Sequence, residues 1–263
     1  MVSGYVNGFS IVFFSIIIYL YKLYMQYVAG VLSSLGCTDD NTLYAQSVCP
    51  DEINHEPGDI TDLFTNYLGK VFHLGGLAGI PFTGATGFSA YSHHVPDGGN
   101  LLILFAPHIG LSNKNEFGKY SRDFQSADGA ACGACVGAYN HCINGCEIPD
   151  AAAMFDDPFD YQMNFIKCEI NKVKDKILDK KPLGECAVQS ELTRQMFQIC
   201  YSFLKKIINT KKGRVIVLGG IQINMPRPMN DYFQPLVFEI YEQDKEVVDK
   251  MHVFKEPLKY VPR

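Results

Sequence analysis

Two continuous apolar runs of strand length constrain the fold of this chain more than any other feature. Residues Asn100 to Ala106 read NLLILFA, and Arg214 to Asn224 read RVIVLGGIQIN. A strand with no polar alternation has both faces covered, which is typical of a parallel sheet between layers of helices. Segments of helical periodicity alternate with such runs. The pattern therefore predicts an α/β fold, a single domain with a central, mostly parallel sheet flanked by helices.

The remaining predicted elements follow from the same periodicities. Asn41–Cys49 and Asp231–Tyr241 are predicted strands. The second is interrupted by Pro235, which predicts an edge position or a bulge, because proline cannot donate to the strand ladder. Apolar residues at helical spacing predict helices over 23–35, 59–74, 154–177 and 191–208, and a small-residue segment at 129–138 is predicted to open another helix.

The most apolar segment of the chain lies at its beginning, where residues 9–20 read FSIVFFSIIIYL. The run is about half of the ~20 residues that a membrane-spanning helix needs. It suits a secretory signal, although no Lys or Arg precedes it. We interpret residues 1–20 as a hydrophobic leader or membrane anchor and 21–263 as the folded domain. A packed N-terminal helix is the alternative.

Charge and cysteine usage narrow the class of protein. The formal net charge is −5 at pH 7, which provides no basic field for a polyanion, so we expect no nucleic-acid partner. The nine cysteines are irregularly spaced in a chain too long to depend on a disulfide framework. A reducing compartment or a metal site explains these cysteines better than disulfide pairing.

The glycine-rich stretch from Gly75 to Cys135 has the composition of a binding site. Glycine lets the backbone turn tightly and approach a ligand closely. His108 follows one apolar run and Cys132 lies within another, while Cys49 ends a predicted strand. Two thiolates and an imidazole leave a fourth zinc position for water, as in catalytic sites. Spacing alone leaves an alternative open, in which the cysteines are inert and the histidine has its hydrogen bonds satisfied within the core.

Other patterns in the same stretch allow other sites. Cys132, Cys135, Cys142 and Cys146 have a spacing that suits a structural zinc or an iron–sulfur cluster. The pair His93 and His94 allows an orienting or proton-relay role, or a purely structural one. No G-x-G-x-x-G sequence follows a predicted strand, which argues against a dinucleotide site.

Several sequence blocks in order, SVCPDEIN, GLAGIPFTGATGF, SHHVPDGG, FAPHIGLS, ACGAC, and VLGGIQINMP followed by DYFQPLVFE, resemble the limiting-CO2-inducible protein B family. The resemblance covers roughly residues 21–240. That family is also described as theta-class carbonic anhydrases, with a fold similar to the beta class. The resemblance implies a Zn2+ enzyme, usually a homodimer, that hydrates CO2 reversibly to bicarbonate by a metal-bound hydroxide. It also makes a plastid-type organelle a predicted location, besides the secretory or membrane-associated one. The cytosol is the alternative.

Carried over position by position, the resemblance implies that Cys49, His108 and Cys132 are the zinc ligands. Asp51 corresponds to the aspartate of the beta-class Cys-x-Asp motif, which pairs with an arginine. His94 or its neighbour His93 is a candidate to carry away the proton.

The chain departs from the family pattern at the arginine. The beta-class position two residues after Asp51 holds Ile53, and the position directly after Cys49, where related sequences often carry arginine, holds Pro50. Arg122 is the nearest candidate to supply the guanidinium from elsewhere. Without it, Asp51 could occupy the fourth zinc position, and the chain would be a catalytically silent sensor of CO2 or bicarbonate, or a scaffold in a carbon-concentrating complex.

Overall fold

The computed structural model describes residues 28–150, 157–229 and 231–254. Residues 28–34 are helical and lead into the first strand. The strands are Thr42–Val48 (β1), Val71–His73 (β2), Asn100–Ala106 (β3), His108–Gly110 (β4), Lys119–Tyr120 (β5), Gly129–Ala130 (β6), Arg214–Asn224 (β7), Tyr232–Tyr241 (β8) and Val248–Asp249 (β9). The α-helices that follow these first residues are Ile60–Leu68 (α1), Gly84–His93 (α2), Gly133–Ile143 (α3), Tyr161–Leu178 (α4) and Glu185–Ile207 (α5).

The central sheet confirms the predicted fold class. Its strand order is β2-β1-β3-β7-β8-β9, and β4 pairs with β7 beyond the end of β3. The pairs among β1, β2, β3, β4 and β7 are parallel, whereas β8 and β9 are antiparallel. The carboxyl ends of β1 and β3 therefore point to the same edge of the sheet.

The two predicted core strands are covered on both faces, as their composition requires. Every residue of β3 is buried. Ile103 and Phe105 belong to the hydrophobic cluster that includes α4 and α5, whereas Leu102 and Leu104 belong to the cluster that includes α1. Successive side chains of a strand point to opposite faces, so one continuous apolar run supplies both halves of the core.

The strand predictions at β3 and β7 are confirmed to the residue, and β8 carries the bulge expected at Pro235. Its register with β7 shifts between Gly219 and Gly220, where Gly219 pairs with Val237 and Gly220 with Pro235. The helix predicted over 59–74 is too long. It ends at Leu68, because Gly69 adopts a positive φ of 83°, and β2 follows. Periodicity alone did not separate the short β2 from the helix.

The N-terminal predictions fall largely outside the described residues. The leader or anchor assigned to residues 1–20 and the first part of the helix at 23–35 lie there, as does the beginning of the helix predicted at 154–177. Among the residues that the structure describes, no helix combines the length and the apolar composition that crossing a bilayer requires.

Candidate metal centre

Three chain segments converge at the carboxyl edge of the sheet. Cys49 directly follows β1, and His108 begins β4 after the single residue that separates it from β3. Cys132 is the residue before the first turn of α3. This edge is where open parallel sheets usually place their ligand sites, because the chain leaves several strands there at once.

The three side chains form a compact set of ligand atoms. Their nearest sulfur and ring-nitrogen atoms all lie within 4.8 Å of one another, and the two sulfurs of Cys49 and Cys132 are 3.9 Å apart. All three residues are buried, His108 almost completely at 1% exposure. His108 Nε2 is buried without a hydrogen-bond partner in the described part of the chain. A buried polar atom without a partner is costly unless a ligand satisfies it.

Glycines allow the backbone to approach closely at this centre. A Cβ on Gly75 would lie 2.5 Å from the Val48 carbonyl oxygen, so only glycine fits beside the end of β1. A Cβ on Gly110 would lie 2.6 Å from the Lys119 carbonyl oxygen and 2.8 Å from the Ala131 side chain. The Gly110 amide donates to the Ala131 carbonyl at 3.0 Å. That contact brings Cys132, the next residue, against the strand that carries His108.

The sulfur pair is electronically asymmetric. Hydrogen bonds from the Cys135 and Cys49 thiols hold the pKa of the Cys132 thiol well below its usual value. The hydrogen bond with Cys132 and burial together raise the pKa of the Cys49 thiol. Thiolates are the metal-binding form of cysteine, and binding of a metal releases the remaining proton.

Arg122 supplies the guanidinium that the local motif lacks. Its Nη2 donates to Asp51 Oδ1 at 2.8 Å, and its Nε donates to Glu52 Oε1 at 2.6 Å. The arginine comes from the polar loop after β5, about seventy residues from its partners. Its guanidinium also lies over the Tyr120 ring, 5.8 Å from the centroid. The pairing therefore depends on tertiary structure and leaves Ile53 free to be buried at 2% exposure.

The pKa values of the two carboxyl groups beside Arg122 shift in opposite directions. The arginine hydrogen bond lowers the pKa of the exposed Glu52 to about 2. Burial raises the pKa of Asp51 above its usual value, although the charges of His108 and Arg122 act in the opposite direction. Opposite charge alone would have predicted a lowered Asp51 pKa. Desolvation outweighs it because Asp51 lies closer to the core.

The structure does not bring His94 to the centre. It follows α2, near whose end the Tyr91 hydroxyl donates to the Leu43 and Leu102 carbonyls near the beginnings of β1 and β3. His94 is exposed there, and its ring lies 6.2 Å from that of Phe72. The preceding His93 is exposed as well. Neither histidine belongs to the buried set of converging ligand side chains.

The alternative cysteine cluster is not assembled. Cys146 is exposed, whereas Cys142 is buried and directs its sulfur toward the Lys167 carbonyl at 3.5 Å. Over residues 28–150, 157–229 and 231–254, Cys49, His108 and Cys132 are the only set of three or more ligand side chains that converge. The rise of the helix explains the result, since Cys135 and Cys142 are about 10 Å apart along α3 at 1.5 Å per residue, and Cys146 lies beyond its end.

A polar network behind His108 was not anticipated from the sequence. Asn224 is fully buried at 0% exposure, and its Oδ1 lies 2.8 Å from His108 Nδ1. Asp231 Oδ2 accepts from Asn224 at 2.6 Å and from Gln222 at 3.2 Å. One signal was available, because Gln222 and Asn224 alternate with isoleucines at the end of an otherwise apolar strand and so share one face.

The residues present fit a zinc ion. Two cysteine sulfurs and an imidazole nitrogen are ligand types that zinc prefers, and three protein ligands are the usual number in catalytic zinc sites. The unpartnered Nε2 and the close sulfurs form one buried cluster, and Asp51 is two residues after Cys49 in the sequence. The arrangement supports binding a metal and activating a small molecule beside it.

Comparisons with known proteins agree with this geometry. The family model described as limiting CO2-inducible proteins B/C beta carbonic anhydrases matches residues 19–242. The crystal structure of PtLCIB4, a homologue of the limiting CO2-inducible protein LCIB, is 29% identical with a TM-score of 0.74, covering 87% of this chain and 93% of that one. The crystal structure of LCIB itself has the same fold, with a TM-score of 0.60 at 18% identity, covering 87% and 92%. No curated protein sequence matches. The chain therefore belongs to the limiting CO2-inducible protein B/C family of beta carbonic anhydrases.

Proposed function

We propose that this chain is a zinc-dependent carbonic anhydrase that interconverts CO2 and bicarbonate. One observation carries the proposal, namely the convergence of Cys49, His108 and Cys132 within 4.8 Å in a buried centre where His108 Nε2 has no partner among the described residues. Membership of the carbonic anhydrase family supports the same reaction.

Different residues of the chain have different roles in this reaction. Cys49, His108 and Cys132 would hold the metal. Zinc in that position would supply Lewis-acid activation of water at neutral pH. Because the surrounding protein is largely apolar, the centre also offers a dry environment for CO2, which carries no charge.

Asp51 and Arg122 form the second functional pair. The guanidinium holds Asp51 by one carboxylate oxygen at 2.8 Å. A carboxylate has several lone pairs, so the held Asp51 can still accept a hydrogen bond from a water molecule in the site and orient it. The same contact, reinforced by Glu52, restrains Asp51 from turning toward the metal ligands. This pairing favours an active enzyme over the silent sensor or scaffold that the missing local arginine suggested.

Two measurements on the full chain test the proposal. We expect stoichiometric zinc in the purified protein and stopped-flow CO2 hydration well above the uncatalysed rate. Hydration at the uncatalysed rate with full zinc loading would instead favour the sensor or scaffold. Protein that stays free of zinc in the presence of the ion would overturn the ligand assignment.

The remaining expectations stay predictions. We expect a homodimer that acts on CO2 and bicarbonate, with no nucleic-acid partner. Membrane association through residues 9–20 and an organellar, secretory or cytosolic location depend on the leader. Sedimentation of the full chain and localisation of a C-terminal fluorescent fusion test these expectations.

A further inference from the structure

The hydrogen-bond partners of Asn224 fix which way its amide faces. The amide nitrogen Nδ2 lies 2.6 Å from Asp231 Oδ2, 2.8 Å from the Ile53 carbonyl oxygen and 3.2 Å from Asn54 Oδ1. All three atoms are acceptors. Turning the amide over would place its carbonyl oxygen against a carboxylate and a peptide carbonyl, which leaves buried acceptors facing each other. The network therefore assigns Oδ1 to the side that faces His108.

That assignment determines which ring nitrogen of His108 must carry a proton. Asn224 Oδ1 can only accept, so the imidazole nitrogen at 2.8 Å from it, Nδ1, must carry a proton. The neutral imidazole, which is the form that binds a metal, has one ring proton. Its Nε2 is then left with a free lone pair, and this is the ring nitrogen that has no protein partner in the described residues.

Asn224 also joins segments that carry the other functional residues. It lies on β7 opposite Gly110 of β4, and its carbonyl accepts from the Leu111 amide at 2.9 Å. Through the Ile53 carbonyl it is connected to the short turn Glu52–Asn54, which follows Cys49 and Asp51. A single buried side chain thus connects the strand of one ligand with the loop that follows another.

We propose that Asn224 is a positioning residue that selects the Nδ1–H tautomer of His108 and aims its Nε2 at the metal. The inference rests on the proposed function, because it presupposes that Cys49, His108 and Cys132 hold zinc. Partners that orient a ligating histidine typically change metal affinity by about 10- to 100-fold when they are removed. Asn224 touches neither substrate nor metal in this role and acts only through the imidazole.

The test uses the full chain with ¹⁵N-labelled histidine, and zinc alone as the probe. At a pH where the imidazole is neutral, we expect ¹⁵N shifts of zinc-free wild type to show His108, assigned by its loss in His108→Gln, with the proton on Nδ1. Asn224→Ala should mix the tautomers and weaken zinc binding about 10- to 100-fold in a chelator competition. Asn224→Asp keeps the acceptor toward His108 Nδ1 and should recover the tautomer, but it loses the donor to Asp231 and to the Ile53 carbonyl and should lower stability.

Asn100→Ala is the matched control, since Asn100 is a buried asparagine at the opposite edge of the sheet. It should lower stability while leaving zinc affinity and the His108 tautomer within error of wild type. A neutral His108 ring with its proton on Nε2 in wild type would overturn the inference even if every Asn224 variant failed to fold. Zinc affinity of Asn224→Ala within twofold of wild type would overturn it as well.

The inference and the proposed function fail separately. Wild type that binds zinc with the Nδ1–H tautomer but does not hydrate CO2 refutes the carbonic anhydrase and leaves the role of Asn224 standing. Normal hydration together with unaltered zinc affinity in Asn224→Ala refutes the role of Asn224 alone.

Discussion

Two buried asparagines at opposite edges of the sheet have contrasting surroundings. At the amino edge, Asn100 Nδ2 donates to Asn41 Oδ1 at 3.2 Å and to Thr42 Oγ1 at 3.3 Å, while its Oδ1 accepts from Arg214 Nε at 2.9 Å. These bonds join the beginnings of β1, β3 and β7. Each polar atom of Asn100 is satisfied by the chain itself, as is usual for buried amides.

At the carboxyl edge, the polar side-chain atoms of Asn224 are likewise hydrogen-bonded, but some polar atoms of its neighbours are not. His108 Nε2 and Gln222 Oε1 are buried without partners in the described regions. Gln222 Nε2 lies between the buried carboxyl groups of Asp59 and Asp231, at 3.4 Å and 3.2 Å. Burial raises the pKa of Asp59 to about 8, and the nearby Asp231 adds to this effect.

The contrast separates a structural polar cluster from a functional one. Both edges bury asparagine in hydrogen bonds, so burial and bonding alone do not identify a site. The carboxyl edge differs in that it retains unsatisfied atoms and buried carboxyl groups, which lower stability unless a ligand or a proton compensates. Variants at the carboxyl edge should therefore affect metal binding and activity, whereas variants at the amino edge should affect stability alone.

The largest expected effect is at the ligands. Cys132→Ser should abolish stoichiometric zinc binding and reduce CO2 hydration by about 10³-fold, because the loss of metal activation is worth several kcal/mol. Metal analysis and stopped-flow hydration measure both quantities. The exposed Cys146 provides the control. Cys146→Ala should keep full zinc, and loss of zinc in both variants would contradict the assignment.

The next effect is at the arginine. Arg122→Ala should reduce kcat/KM for CO2 by about 10- to 100-fold with zinc retained, because a catalytic group displaced by about 1 Å can cost that much. Stopped-flow kinetics on zinc-loaded protein measure it. Arg194→Ala removes another arginine with a carboxylate partner, Glu191 at 2.8 Å on α5, and should leave kcat/KM unchanged. Equal rates for wild type and Arg122→Ala would show that the loop does not serve catalysis.

A smaller effect is expected from the close approach at Gly110. Gly110→Ala would push a methyl group into the Lys119 carbonyl and the Ala131 side chain, and such overpacking costs about 1–3 kcal/mol. The displacement of Cys132 should weaken zinc binding about tenfold, or ~1.4 kcal/mol. Gly137→Ala on α3 has open space and should instead raise stability by about 0.5–1 kcal/mol. Zinc titration with thermal unfolding distinguishes these outcomes, and unchanged zinc affinity in Gly110→Ala would contradict this account of how Cys132 is placed.

The last prediction concerns stability rather than zinc binding, at the buried carboxyl group of Asp59. Its folded-state pKa of about 8 lies above the ordinary value of 3.8, so its contribution to stability is present below the lower value and is lost as the pH rises toward the higher one. Each pH unit in this window costs about 1.4 kcal/mol at most. Asp59→Asn should therefore be more stable than wild type at pH 7 and show a flatter pH dependence in urea unfolding.

Asp40→Asn removes the same charge at an exposed position and serves as the control for that measurement. It should leave the pH dependence of the wild type in place. An Asp59→Asn profile parallel to that of wild type between pH 4 and 8 would show that Asp59 is ionised in the folded protein.

Much of the fold could be predicted because its information is local. The apolar runs at 100–106 and 214–224 define strands by composition, and Pro235 marks a bulge by its missing donor. The end of α1 was missed, since Gly69 looked like one residue within a longer periodic pattern. Here the left-handed conformation of Gly69 and the pairing of β2 with β1 overrode periodicity.

The site could be predicted only in part. Cys49, His108 and Cys132 were named through family resemblance, and their residue types are informative by themselves. His94 has a suitable residue type, yet it is exposed after the end of α2 beside Phe72 and is not one of the converging ligand side chains. Asn224 was not predicted, because the type and position of an asparagine at a strand end do not distinguish a functional residue from an ordinary one.

By itself, the sequence determined the core strands, most helices, the apolar faces and the ligand types, because these depend on near neighbours and on side-chain chemistry. Tertiary structure alone decided that residues 49, 108 and 132 meet, that Arg122 reaches Asp51, and that Asn224 faces His108. Arg122 and Asp51 are 71 positions apart in the sequence, and Asn224 and His108 are 116 positions apart. No local pattern encodes such contacts. Strand order and close packing at glycines bring them together, so the chemistry of the site depends on the fold.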